Sequence, residues 1–240
     1  MNTKPSELGK LYLIPTTLGA TEPLEVLPLT IKRAVEQIDH YIVENEKTAR
    51  RFIKKITPRK TQGILKLNLL NKFTEAEALP EFLKPCLSGY PVGVLSEAGC
   101  PAIADPGALI VKLAHEKGIQ VVPLVGPSSI ILALMASGLN GQNFAFNGYL
   151  PIDSGERKKA IKQLEKKSRE LGQTQLFMET PYRNDKLVAE LLKTLQGETH
   201  LCIAADITLK TEWIRTLRIH QWKGNIPELN KRPAIFAIQA

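Results

Sequence analysis

Short apolar runs alternate with amphipathic stretches from residue 11 to residue 137, and this alternation restricts the chain to layered packing of strands and helices. Leu11–Ile14, Ile38–Val43, Val92–Leu95 and Ile119–Val122 read as strands. The spacing predicts helices over Pro28–Gln37, with Ile31, Ala34 and Val35 on one face, over Glu46–Ile56, and over Thr74–Leu87. A further helix is expected from about Pro106 to Lys117, with proline in its first turn and Gly118 just past its end. Ser128–Ser137 reads as a helix of small and apolar residues, closed by Gly138. From Asn143 the pattern changes. Phe144–Phe146, Gln175–Met178, Leu201–Ala205, Trp213–Ile219 and Ala234–Ile238 read as strands, with helices over Gly155–Leu171 and 182–195. The last three strands leave little room for helices between them. The expected fold is therefore α/β in two lobes, 1–125 with a mostly parallel sheet and 126–240 with a mixed one. No repeat or low-complexity linker separates the two, so the lobes are expected to pack tightly.

A chain of 240 residues that is 43% hydrophobic and 23% charged has an ordinary globular balance. No apolar run reaches the roughly 18 residues of a membrane span. The opening Met1–Glu7 carries no apolar segment of the kind a secretory leader needs. Cys86, Cys100 and Cys202 are odd in number and far apart, and the four histidines are equally scattered. Neither a disulfide framework nor a zinc site is expected, and the default is a metal-free cytoplasmic protein. The net charge of +8 favours a polyanionic partner, because cations that neutralise phosphates release counterions; a merely solvated basic surface is the alternative.

No dinucleotide-binding glycine fingerprint, P-loop or nucleophile elbow occurs. The most restricted stretch is Leu95–Gly107, which leaves a strand, runs through small residues and ends at a helix start. Gly99 and Gly107 open backbone geometry closed to other residues, while Pro101 and Pro106 stiffen it. Loops at the carboxyl ends of parallel strands are where open α/β sheets bind ligands. A plain strand–turn–helix connection with Asp105 as helix cap is the alternative, and the two are compatible. Pro123–Ser129 repeats the arrangement, with Ser128 as ligand contact or as cap.

Four segments in order resemble the tetrapyrrole-methylase type of S-adenosylmethionine-dependent methyltransferase: Ser96–Gly107, Val125–Ser129, Phe144–Pro151 and Phe177–Arg183. They match S-D-A-G-T-P-x-I-S-D-P-G, P-G-P-S-A, F-x-F-x-G-F-L-P and F-Y-E-S-P-H-R of the branch that methylates a ribose 2′-hydroxyl on a cytidine of small-subunit ribosomal RNA. The resemblance implies two α/β lobes with S-adenosylmethionine in the cleft between them, and a homodimer. It further implies cofactor contacts from Ser96, Glu97, Ala98, Gly99, Pro101, Ile103 and Ser128, and from Met178 and Ala205 near the adenosine. Pro15 belongs with these and, with Thr16, borders the acceptor. Core filling is the alternative for Met178.

The chain departs from the branch at T-P-I-G-N-L, here Ile14–Leu18, and at A-E-D-T-R, here Val43–Lys47 with Asn45 in place of aspartate. Glu97 replaces an aspartate, and R-E-L-T-K becomes Ala205–Lys210 without its arginine. Cofactor features are thus kept better than acceptor features. Methyl transfer from a sulfonium needs alignment and exclusion of water, and a ribose hydroxyl gains from a positioned base. Glu97 and Glu179 are the candidate bases; binding the cofactor's amino group or capping a turn are their alternatives. Of two basic segments, 47–60 and 157–169, the first is the preferred RNA contact through Arg50, Arg51, Lys54 and Lys55, whereas Glu165 and Glu170 interrupt the second. Small-subunit RNA is the expected acceptor. The rivals are a tetrapyrrole or other small molecule, and a catalytically silent RNA-binding protein.

Overall fold

The computed structural model describes residues 7–71 and 73–240. The opening heptapeptide, apart from Glu7, lies outside the described residues. The chain divides into two compact units, Met1–Ser128 and Ser129–Ala240.

In the first unit, β1 (Leu11–Ile14), β2 (His40–Val43), β3 (Lys66–Leu69), β4 (Val92–Leu95) and β5 (Val121–Pro123) form a sheet in the order β3-β2-β4-β1-β5. Every neighbouring pair is parallel, as expected. Parallel sheets are covered on both faces, so their central strands are apolar throughout, and all four residues of β4 are buried. Alternate side chains divide between the covers. Ile14, Tyr41, Val43 and Leu95 pack with α2 (Leu29–Gln37) and α3 (Glu46–Ile56) through Ile31, Val35, Ile53 and Ile56. Leu11, Ile42, Val92 and Val94 face the opposite cluster of Leu79, Leu83, Cys86, Ile110 and Ala114. The register is what positions the site. Ile14 and Val43 both pair with Leu95, so Pro15, Glu44 and Ser96 leave the sheet side by side.

Three local features differ from expectation. A short helix α1 (Pro23–Val26) precedes α2, and β3 occupies a stretch that carried no strand signal. The helix expected over Thr74–Leu87 is broken into a 3₁₀ turn at Ala76–Ala78, α4 (Leu79–Phe82) and α5 (Lys84–Leu87). Pro80 and Pro85 sit at the starts of the two helical pieces, because proline lacks the amide a continuous helix needs. α6 (Gly107–Glu116) completes the unit.

The second unit begins with α7 (Ser129–Ser137), followed by β6 (Phe144–Tyr149), α8 (Ser154–Leu171), β7 (Thr174–Met178), α9 (Asn184–Thr194), β8 (His200–Ala205), β9 (Trp213–Arg218) and β10 (Ala234–Gln239). Its sheet runs β6-β7-β10-β8-β9. Only β6 and β7 pair in parallel; the remaining pairs are antiparallel, giving the mixed sheet expected. Phe177, Ile203 and Phe236 meet Ile161, Leu187 and Leu191 of the two long helices in one core. Arg157 is almost fully buried on α8 and is tied to Glu190 of α9, with its Nη2 donating to Glu190 Oε1 at 2.7 Å. That pairing withdraws Arg157 from the second basic segment considered for RNA.

Candidate active site

The loop after β4 is held in shape by its own polar groups. Ser96 Oγ donates to the Gly99 carbonyl at 2.7 Å, and the Thr16 amide donates to the same carbonyl at 3.0 Å. Gly99, Ala102 and Ala104 have φ of 73°, 67° and 61°. For an alanine the left-handed region costs about 1–2 kcal/mol, so something must hold the turn. The Asp105 carboxylate does so, accepting from the Ala102 amide at 2.9 Å and the Gly107 amide at 2.7 Å. It stands one position before the helix cap, which is Pro106, and so closes the loop as well as serving the first amide of α6. Burial raises the Asp105 pKa, while the two amides oppose that rise.

Gly126 and Pro127, in the next strand-to-helix stretch, pack against this loop and the end of β1. A Cβ on Gly126 would fall 2.2 Å from Pro15 Cβ, so only glycine permits the approach. Cys100 replaces the threonine of the family pattern and keeps a donor, its Sγ reaching the Pro127 carbonyl at 3.3 Å.

The corner between β2 and α3 meets the loop from the other side. Asn45 caps α3, accepting from the Lys47 amide at 2.9 Å and the Thr48 amide at 3.2 Å. Losing the family's aspartate therefore does not remove the cap. Glu44 Oε1 accepts from the Glu97 amide at 3.2 Å, and Thr48 Oγ1 donates to Glu97 Oε1 at 2.5 Å. Half-burial raises the Glu44 pKa, and the nearby Asp105 and Glu97 carboxylates push the same way against the amide bond.

A cavity of about 320 Å³ opens here, lined by Thr16, Thr21, Thr48, Arg51, Phe52 and Glu97 among others. The four basic residues expected to contact RNA divide. Arg50 pairs with Glu46 at 2.8 Å and donates to the Gln62 carbonyl at 2.7 Å; Lys54 donates to the Pro58 carbonyl at 2.7 Å. Arg51 and Lys55 line the cavity instead. Lys55 also grips the segment beside it, through the Thr21 carbonyl at 2.9 Å and Glu22 at 3.1 Å.

Of the expected loop contacts, Ser96, Gly99 and Pro101 are buried, Glu97, Ala98 and Ile103 are exposed, and Pro15 is buried beneath Gly126. Ser128 is half-buried at the end of the unit. In the second unit, Met178 pairs with Ile235 and Ala205 with Ala234, which brings both to one end of β10, on either side of it. Glu179 follows directly. Its side chain is 1% exposed, and its Oε1 accepts from the Thr180 amide at 2.7 Å and Arg183 Nη2 at 2.6 Å, while Oε2 is buried without a partner. Sequence reasoning did not single out Glu44, Thr48 or Thr21; an acid directly after a buried strand was the available signal for Glu44. Among the described residues no cluster of histidine, cysteine or carboxylate suits a metal ion, and no helix is long and apolar enough to cross a membrane.

A sequence model of the tetrapyrrole (corrin/porphyrin) methylases matches residues 10–221. The chain belongs to that family. This methylase is thus an S-adenosylmethionine-dependent methyltransferase. It is 32% identical over 213 residues to Ribosomal RNA small subunit methyltransferase I of Vibrio cholerae serotype O1, spanning 89% of this chain and 70% of that one. Among solved structures it resembles the methyltransferase CobJ, with a TM-score of 0.64 at 13% identity over 96% of this chain and 94% of that one. It also resembles uroporphyrin-III C-methyltransferase from Thermus thermophilus, complexed with S-adenosylhomocysteine, with a TM-score of 0.57 at 15% identity over 96% and 97% of the two chains. At such identities the structural likeness is one of fold. The small side chains of Ala98 and Ala104 in the methylase's loop are exposed, which leaves room for a ligand to approach it.

Proposed function

We propose that this methylase transfers the methyl group of S-adenosylmethionine to a ribose 2′-hydroxyl of small-subunit ribosomal RNA. The observation that carries the reading is the 32% identity with the Vibrio cholerae enzyme, which extends over most of both chains. Bound S-adenosylmethionine supplies an electrophilic methyl group on a sulfonium. The chain's own task is to align a hydroxyl with that methyl, exclude water and take up the hydroxyl proton. Ser96, Glu97, Ala98, Gly99, Pro101, Ile103 and Ser128, with Pro15, are assigned to the cofactor in the first unit, and Met178 and Ala205 in the second. Glu97 is the base of choice, because its carboxylate lines an open cavity and has one oxygen held by Thr48. The protein acts in the cytoplasm as a homodimer on this reading, which sedimentation at working concentration tests.

The deciding experiment is transfer of tritiated methyl to small ribosomal subunits from cells lacking this protein. Label mapped to a ribose is the expected result. Cofactor binding by calorimetry with no label in RNA, and label in a uroporphyrinogen instead, would move the acceptor to a tetrapyrrole.

A further inference from the structure

From the cavity beside α3 we infer that the first unit holds a phosphodiester-binding pocket, in which Arg51 takes the phosphate next to the reacting ribose. The inference rests on the RNA reading above and deepens it. Five cations stand on α3, Lys47, Arg50, Arg51, Lys54 and Lys55, and Arg50, Lys54 and Lys55 are engaged within the unit. Arg50 holds Glu46 and the Gln62 carbonyl, Lys54 the Pro58 carbonyl, and Lys55 both Glu22 and the Thr21 carbonyl. Arg51 lies on the cavity wall and, among the described residues, has no ion-pair or side-chain hydrogen-bond partner. A guanidinium without an internal partner beside a concavity is suited to a fork of two bonds to an oxyanion.

The rest of the wall fits the same ligand. The Thr21 hydroxyl is buried without a partner, whereas the hydroxyls of Thr16, Thr17 and Thr48 donate to the Ser96 carbonyl, the Gly19 carbonyl and Glu97. Phe52 offers an aromatic surface, and Glu97 is the one acid among the described residues of the wall. The cavity, about 320 Å³, falls at the lower end of the volumes of small-ligand pockets. In RNA the 2′-hydroxyl and the 3′-phosphodiester belong to the same ribose. A pocket lined by both a carboxylate and a free guanidinium matches that pair, the carboxylate for the hydroxyl and the guanidinium for the phosphate. Lys55, by gripping Thr21 and Glu22, fixes the segment that contributes Thr21 to the lining.

The test compares Arg51→Ala, Arg51→Lys and Lys112→Ala, the last removing an exposed charge on α6. Each is assayed for methyl transfer to small ribosomal subunits at several salt concentrations, with S-adenosylmethionine affinity from calorimetry and folding from thermal melts. Arg51→Ala is expected to raise KM for subunits about tenfold and to lower the salt slope by about one, with cofactor affinity and melting unchanged. Arg51→Lys should keep the slope, and Lys112→Ala should match the wild type. Arg51→Ala behaving like Lys112→Ala, on subunits that the wild type methylates, overturns the pocket and leaves the RNA reading standing. A wild type that labels no subunits at all overturns that reading, and the pocket with it. Labelling of a uroporphyrinogen that depends on Arg51 would make the anion a carboxylate and overturn the phosphodiester.

Discussion

Glu97 and Glu179 both follow directly on a buried strand or its first loop residue, both were candidates for the catalytic base, and the structure gives them opposite surroundings. Glu97 is exposed, lines a cavity, and has one oxygen held by the Thr48 hydroxyl. Glu179 is 1% exposed and is clamped by Arg183 and the Thr180 amide. A carboxylate can exchange a proton with a substrate only where the substrate can reach it. A carboxylate that satisfies a guanidinium and an amide in the interior is holding a turn. The lesson is that a motif position identifies a carboxylate without identifying its task, which is set by what surrounds it.

The largest effect that could break this contrast is on turnover. Glu97→Gln preserves the acceptor for Thr48 and removes the base, so kcat should fall about 100-fold with melting unchanged. A kcat within a few-fold of wild type would remove Glu97 from proton transfer. Next in size is Glu179→Ala, which strips Arg183 and the Thr180 amide of their acceptor. Stability should fall by about 2 kcal/mol in urea titrations, while kcat per folded molecule stays near wild type. The reverse pattern, normal stability with kcat lost, would exchange the roles of the two acids. Smaller again is Thr48→Val, which frees the held oxygen of Glu97 and should lower kcat about fivefold, in keeping with the loss of one ordinary hydrogen bond.

The same contrast marks how far the sequence could be read. Glu46–Ile56 and Val92–Leu95 emerge with the bounds their periodicity gave, because each has a clear apolar stripe or run and a sharp stop. β3 was not legible: Lys66–Leu69 is an edge strand with two exposed residues and no distinctive composition. The ligand loop stood out because left-handed turns beside prolines restrict residue choice severely, and 96–107 shows that restriction. The division of the basic cluster could not be read. What separates Arg50 from Arg51 is the Gln62 carbonyl, which lies 12 residues away and arrives only through tertiary packing. Glu44 escaped notice for a similar reason, since its partner is the amide of Glu97, 53 residues on.

Glu44 supplies the smallest effect and the one that sharpens the comparison most, because it is half-buried where Glu97 is exposed and Glu179 is enclosed. Burial raises its pKa, with the Asp105 and Glu97 carboxylates adding to the rise. A carboxyl whose folded pKa is raised binds its proton more tightly in the folded state than in the unfolded one. Its contribution to stability is therefore fully present below the ordinary glutamate pKa and is lost as pH rises through the raised value. Glu44→Gln keeps an oxygen to accept the Glu97 amide and removes the charge. Thermal melts should then show the variant more stable than wild type at pH 7, with the difference shrinking as pH falls and gone once Glu44 is protonated in both states. The Glu97 loop remains anchored in that variant, so cofactor affinity should hold. A variant less stable than wild type at pH 7 would mean that the charge itself strengthens the bond to the Glu97 amide by more than burial costs, and Glu44 would join Glu179 as a structural anion.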